Sequence, residues 1–195
     1  MTKISGMVAT INNSIIAFNI DGKNYVPHVN GYSFFPEKEQ EILIDFGKRD
    51  KNVFSSYIKN IPDGSIVVIG ENTLSEAFGL FKRLLKDKTI TFIVSNFNEI
   101  KIVTYLKNDW AERILNNVIF IKNLNKENSQ KRLLNLTKKE ASDSKSNIYV
   151  MGGKSVYEAF LGHYNEFIIN NLKIEEDVLK EMENSKNVDF NKIRL

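Results

Sequence analysis

The sequence predicts an α/β domain with a central, mostly parallel sheet and helices on both faces. Short runs of β-branched residues bounded by turn residues recur along the chain, and stretches of helical period lie between several of them. Glycines stand where two such runs pass directly into helices, at Gly70 and at Gly152-Gly153.

Taken in order, strands are expected at Ile4–Ile11, Ser65–Ile69, Ile90–Val94, Val118–Ile121, Ile148–Met151 and Glu166–Leu172. Most carry β-branched residues on successive positions, as parallel strands covered on both faces do. Helices are expected to start near Pro36, near Thr73, around Lys126 and near Gly153, with a shorter amphipathic piece over Glu175–Met182. Pro36 suits a first helical turn, where its missing N–H is harmless. Residues 19–34 contain Asp21-Gly22, a strong two-residue turn signal, and read as a mobile surface hairpin. Residues 138–146, dense in Lys, Ser, Asp and Glu, read as a polar loop.

A chain of 195 residues is short enough for one core to be shared by every element, so residues 1–195 are expected to form a single domain. With 42% hydrophobic and 26% charged residues, the composition is that of a globular protein. The net charge is only +3 and the basic residues are scattered among acids, so no nucleic-acid partner is expected. Cysteine is absent, which excludes disulfides and thiolate chemistry and fits a cytoplasmic setting. His28 and His163 have no companion at metal-ligand spacing, so no metal site is expected. No apolar run reaches transmembrane length, and the first run is broken by Asn12, Asn13 and Ser14, so neither secretion nor a membrane partner is expected.

The two strand-to-helix junctions, SIVVIGENTLSEAF at residues 65–78 and NIYVMGGKSVYEAF at residues 147–160, are where the sequence carries chemistry. Glycine lets the backbone approach a ligand, and the N–H groups and positive dipole end of the following helix attract an anion. Two such junctions on one sheet are suited to clasping a diphosphate. Glycine is equally the ordinary way to turn from a strand into a helix with no ligand present. The glycine that opens a P-loop is missing upstream of Gly153-Lys154-Ser155, which rules that motif out.

The segment IYVMGGKSVYEAFLGHYNEFIIN resembles the part of the dihydrofolate reductase family in which a strand, a Gly-Gly turn and a tyrosine-bearing helix precede another strand. SIVVIGENTLSEAF resembles the family's strand ending in glycine, followed by a hydroxyl residue and an amphipathic helix. ITFIVSNF resembles the intervening strand that ends in a polar pair, here Ser95 and Asn96, and ISGMVATINNSIIAF resembles the opening strand and its return. The resemblance implies a dihydrofolate reductase-like three-layer fold and an NADPH site lined by Gly70, Thr73, Ser95, Asn96, Gly152, Gly153, Ser155, Val156 and Tyr157, with Ala9 and Ile16 near the nicotinamide. It further implies hydride transfer to the C=N bond of dihydrofolate or a related pterin, in one-carbon metabolism. A carboxylate on the first helix would supply the proton. Here Phe35-Pro36 leads into Glu37, Glu39 and Glu41, of which Glu39 is favoured; the strict register falls on Lys38. Carboxylates after a proline are also what a helix gains from its own dipole.

Three departures from the family pattern stand out. Ala17 replaces a glycine of the opening return, Glu71 follows Gly70 where a basic residue commonly meets the 2′-phosphate, and the arginine that grips the folate tail has no counterpart near Thr89. NVDFNKIRL resembles the stretch that leads into the family's final hairpin, which is therefore expected to be missing and to leave Glu166–Leu172 near a sheet edge. The alternatives are a non-catalytic binding or assembly module of the same fold, a homo-oligomer joined through that edge, and a reductase similar to the pyrimidine reductase of riboflavin synthesis.

Overall fold

A computed structural model of the chain describes residues 2–96, 99–110, 115–117 and 126–194. Its elements begin with β1 (Ile4–Ile11), β2 (Ile15–Ile20), β3 (Lys23–Tyr25), α1 (Glu37–Lys59), β4 (Ser65–Gly70), α2 (Glu71–Leu85), β5 (Ile90–Ser95) and β6 (Ile100–Tyr105). They continue with β7 (Leu115–Asn117), α3 (Lys126–Ser144), β8 (Ile148–Val150), α4 (Lys154–Ala159), β9 (Glu166–Leu172), α5 (Glu176–Ser185) and β10 (Asp189–Lys192). The strand expected at Val118–Ile121 lies outside the described residues. The chain gathers into two compact units, Met1–Met7 with Ser55–Ile168, and Val8–Phe54 with Ile169–Leu195.

In the first unit β8 lies between the start of β1 and β4 and runs parallel to both, with Ile148 opposite Ile4 on one side and Ile66 on the other. β5 extends this parallel core beyond β4, pairing Ser65 with Ile90. Ile66, Val67, Val68, Ile69, Ile90, Ile93, Ile148 and Val150 are all buried, which is why these strands read as unbroken apolar runs. The sheet is nevertheless mixed rather than mostly parallel. β6 runs antiparallel to β5, and β7 antiparallel to β6. The cause is the connection: a short turn closed by the Asn96 N–H donating to the Glu99 carbonyl leaves no length for a crossover, so β6 must run back along β5.

The expected loop at residues 138–146 is also corrected, because α3 continues to Ser144 and only then turns at Lys145, which has φ +54°. Leu133, Thr137 and Ala141 are buried at four-residue spacing, and that stripe holds the helix against the unit. The polar residues that suggested a loop are its solvated face, where Lys139 pairs with Asp143 at 3.2 Å.

The second unit is antiparallel. β1 returns into β2 through Asn12 and Asn13, both at positive φ, with the Ser14 N–H donating to the Ile11 carbonyl at 3.2 Å. Asparagine tolerates that conformation. The Asn12 side chain also mimics backbone: its Nδ2 donates to the Ile174 carbonyl and its Oδ1 accepts the Ile174 N–H, each at 2.8 Å. Asp21 and Gly22 likewise take positive φ and form the expected tight turn, pairing Ile20 with Lys23 across β2 and β3.

NVDFNKIRL supplies β10, which pairs antiparallel with the other side of β2. Phe18 of β2 is fully buried where these strands meet, against Tyr25, Phe34, Phe35 and Phe190. Leu43 from α1 and Leu179 and Met182 from α5 join the same core, so the amphipathic piece expected at Glu175–Met182 buries its apolar face here. Among the described residues no helix is long and apolar enough to cross a membrane.

Candidate functional site

The first unit brings its two glycine turns into contact. β4 and β8 are parallel neighbours, so α2 and α4 both begin at the same edge of the sheet. The Gly70 N–H donates to the Gly152 carbonyl at 3.0 Å, and the Met151 N–H to the Val68 carbonyl at 2.9 Å. Gly152 has φ +133° and Gly153 φ +81°, conformations that side chains with a Cβ rarely adopt. Space is as restrictive as backbone: a Cβ on Gly152 would meet Thr73 Cγ2 at 3.0 Å and the Tyr157 hydroxyl at 3.5 Å. Neither helix is capped by a side chain at its N-terminus, although in α4 the Val156 and Tyr157 N–H groups both donate to the Gly153 carbonyl at 3.0 Å.

Tyr157 and Val156 are buried beneath the second turn, and the Tyr157 hydroxyl donates to the Met7 carbonyl at 2.6 Å. Of the residues expected to line a cofactor, Gly70, Thr73, Gly152, Gly153, Val156 and Tyr157 therefore stand together. Ser155 turns its carbonyl toward Gln130, which donates to it at 3.4 Å. Ser95 ends the neighbouring strand β5, and Asn96 after it is linked to α2 through one carboxylate. Asn96 Nδ2 donates to Glu71 Oε2 at 2.7 Å, and Lys101 reaches Glu71 Oε1 at 3.4 Å.

Those contacts fix the electrostatics of this edge. The Asn96 hydrogen bond first, then Lys101, hold the Glu71 carboxyl below its ordinary value. Lys101 is in turn held above its ordinary value by Glu99, at 3.2 Å, and by Glu71. Lys101 was not legible as a site residue because β6 was not read as a strand; the period-two pattern of IKIVTY was the available signal.

Ala9 and Ile16 lie on β1 and β2 within the second unit, both half-buried. That unit also holds the three glutamates, and α1 separates them. Glu39 shares a face with Leu43 and Phe46 and is buried, 8% exposed, whereas Glu37, Glu41 and Lys38 are exposed. Among the described residues the Glu39 carboxyl has no hydrogen-bond or ion-pair partner. Elsewhere in this unit His28 Nε2 lies 3.2 Å from Asp50 Oδ2, while Asn170 donates to Asp50 Oδ1 at 2.7 Å.

The first unit also contains two phenols that burial pushes well above their ordinary value, Tyr57 and Tyr164. For Tyr57 burial outweighs the Ser5 hydroxyl, 2.8 Å away, which favours the ionised form. The neutral phenols are favoured by folding, so their contribution is fully present below the unfolded value near pH 10 and is lost as pH rises toward the folded values. Alkaline titration is expected to show phenolate absorbance rising together with loss of circular dichroism above about pH 10. Smooth ionisation of all tyrosines with the fold intact would contradict this.

Among the described residues no three His, Asp or Glu side chains converge as metal ligands. No protein-family model matches the chain, and no curated protein is recognisably similar to it in sequence.

Proposed function

We propose that the chain is a nicotinamide-nucleotide-dependent reductase of the dihydrofolate reductase type, acting on a pterin-like C=N bond. The observation that carries this reading is the meeting of two uncapped glycine turns, Gly70 and Gly152-Gly153, at one edge of the parallel strands. A diphosphate needs backbone donors and freedom from side chains; the donors proposed here are the N–H groups of Gly153 to Ser155, since the Gly70 N–H is held by the Gly152 carbonyl. Gly152, where a Cβ would press on Thr73, is part of that cradle.

The fit to NADPH, the cofactor the sequence resemblance implies, is divided. Gly70, Thr73, Gly152, Gly153 and Ser155 suit the diphosphate. Glu71, a fixed carboxylate at the first position of α2, opposes a 2′-phosphate brought beside it. When bound, the reduced nicotinamide supplies the hydride. The chain's own contribution is a proton, for which the proposed donor is Glu39, the buried one of the three glutamates.

Titrating NADPH, NADH and NADP+ against the purified protein, then adding dihydrofolate and following the absorbance of the reduced nucleotide, tests the reading. Saturable nucleotide binding and turnover are expected. Glu39→Gln is expected to lower turnover by about 100-fold or more with nucleotide binding unchanged, and Glu37→Gln and Glu41→Gln to leave both intact. Absence of binding by every nucleotide would remove the reductase reading, and turnover that survives all three substitutions would remove the proton-donor assignment. Oxidation of the nucleotide with an aminopyrimidine ketone but not with dihydrofolate would transfer the activity to the pyrimidine reductase class.

A further inference from the structure

At the far end of α2 the first unit carries a groove of about 490 Å³, lined on one side by the last turns of α2 and on the other by the chain that follows β6. Gly79, Lys82, Arg83 and Lys86 form the helical wall, and Lys107 and Trp110 the opposite one. Among the described residues Asp87 is the one acidic residue in the lining, beside four cations. Lys107 also pairs with Asp63 outside the groove. Lys82, Arg83 and Lys86 have no ion-pair partner among the described residues.

Cations in the last turn of a helix are in part what its dipole draws there. That does not account for Gly79, which stands inside α2 where glycine lowers helix stability relative to alanine. Among the described residues no close approach requires it, since a Cβ added there would meet none of their atoms within 4 Å. The missing side chain leaves space, and the space is the groove. Nor does the dipole account for Lys107, which reaches the groove from a different element.

We propose that this groove binds a small, multiply charged phosphate compound. Its volume is that of a small-molecule site, and its lining includes the planar fork of Arg83 together with Lys82 and Lys86, whose ammonium groups only donate. A polynucleotide is disfavoured because the chain's net charge is only +3 and its basic residues are scattered among acids along the sequence. Trp110 makes a rigid apolar wall. Its Nε1–H is spent on the Lys88 carbonyl at 2.8 Å, and its ring stacks on Tyr105 with centroids 4.7 Å apart. The site is separate from the glycine turns at the start of α2, its nearest lining residue Gly79 standing nine residues, about 13 Å, along the helix from Gly70, and it stands whether or not the reductase reading does.

Trp110 is the chain's single tryptophan, so its fluorescence reports on the groove directly. Titration with inorganic tripolyphosphate at constant ionic strength is expected to give a saturable change with a midpoint below about 1 mM. The combined substitution Lys82→Gln, Arg83→Gln and Lys86→Gln is expected to raise that midpoint at least tenfold. Gly79→Leu keeps every charge and favours the helix, yet fills the groove, and is expected to weaken binding to the same degree. The proposal is overturned by no saturable change, by an equal change with sodium chloride, or by an unchanged midpoint in either variant. Binding of duplex DNA or anionic vesicles through the same residues, without binding of tripolyphosphate, overturns it as well.

Discussion

Phe18→Ala is expected to destabilise the protein by about 4 kcal/mol, seen as a fall in the midpoint of urea unfolding with the slope preserved. Phe18 is fully buried at the centre of the second unit, with Tyr25 stacked on it at 5.6 Å and Phe34, Phe35 and Phe190 edge-on between 5.8 and 6.1 Å. Its removal forfeits both the transfer of a large ring from water and the aromatic pairs, each worth about 0.5–1.5 kcal/mol. The surrounding rings belong to β3, β10 and the segment before α1, so no single element can move in to close the cavity. A loss near 4 kcal/mol is a large part of the roughly 5–15 kcal/mol that holds a domain folded, and a second-unit core that tolerates the change with less than about 1 kcal/mol lost would show that these rings do not pack as described.

The second large effect is a reversal of sign between two glycines in helices. Alanine in place of glycine inside a helix ordinarily gains about 1 kcal/mol, because glycine has more freedom to lose on folding. Gly79→Ala on α2 is expected to follow that rule, since the new methyl meets nothing within 4 Å among the described residues. Gly47→Ala on α1 is expected to do the opposite. Its Cβ would stand 2.4 Å from the carbonyl oxygen of His28, a backbone atom that cannot rotate away. Relief requires α1 and the His28 segment to separate, and this strains the His28–Asp50–Asn170 hydrogen bonds that join the segment, α1 and β9. Overpacking of about 1–3 kcal/mol or more, with a buried polar cluster disturbed, outweighs the propensity gain. Thermal unfolding of both variants side by side decides it: Gly79→Ala should melt higher than the parent and Gly47→Ala lower. If Gly47→Ala is the more stable of the two, the close approach at His28 is absent.

Much of the architecture was legible from local chemistry. The apolar runs at Ser65–Ile69, Ile90–Val94 and Glu166–Leu172 fold as the strands β4, β5 and β9 with ends shifted by no more than a residue. Asp21-Gly22 makes the turn its residue types demand, and Pro36 precedes α1 directly. These features depend on the neighbours in sequence: backbone conformations open to Asp and Gly, a missing N–H, side chains that favour a pleated surface. The convergence of two glycine turns was a candidate reading from the same motifs. Glu39 was favoured over Glu37 and Glu41, and its position one turn before Leu43 was the signal that it would face inward.

What local chemistry left undecided was everything set by partners distant along the chain. Residues 138–146 are polar enough for a loop, yet the stripe of Leu133, Thr137 and Ala141 has something to pack against and so stays helical. The mixed character of the sheet follows from strand pairings, β6 against β5 and β10 against β2, that no residue of IKIVTY or DFNK announces alone. The carboxylate network at Glu71, the clash awaiting a methyl at Gly47 and the open one at Gly79 are likewise distances between segments. The sequence by itself determined the strands β4, β5 and β9 and the tight turn at Asp21-Gly22, because those choices are made by adjacent residues. Tertiary structure decided which of them pair and which charges meet, because burial and contact are properties of surfaces brought together only when the chain closes on itself.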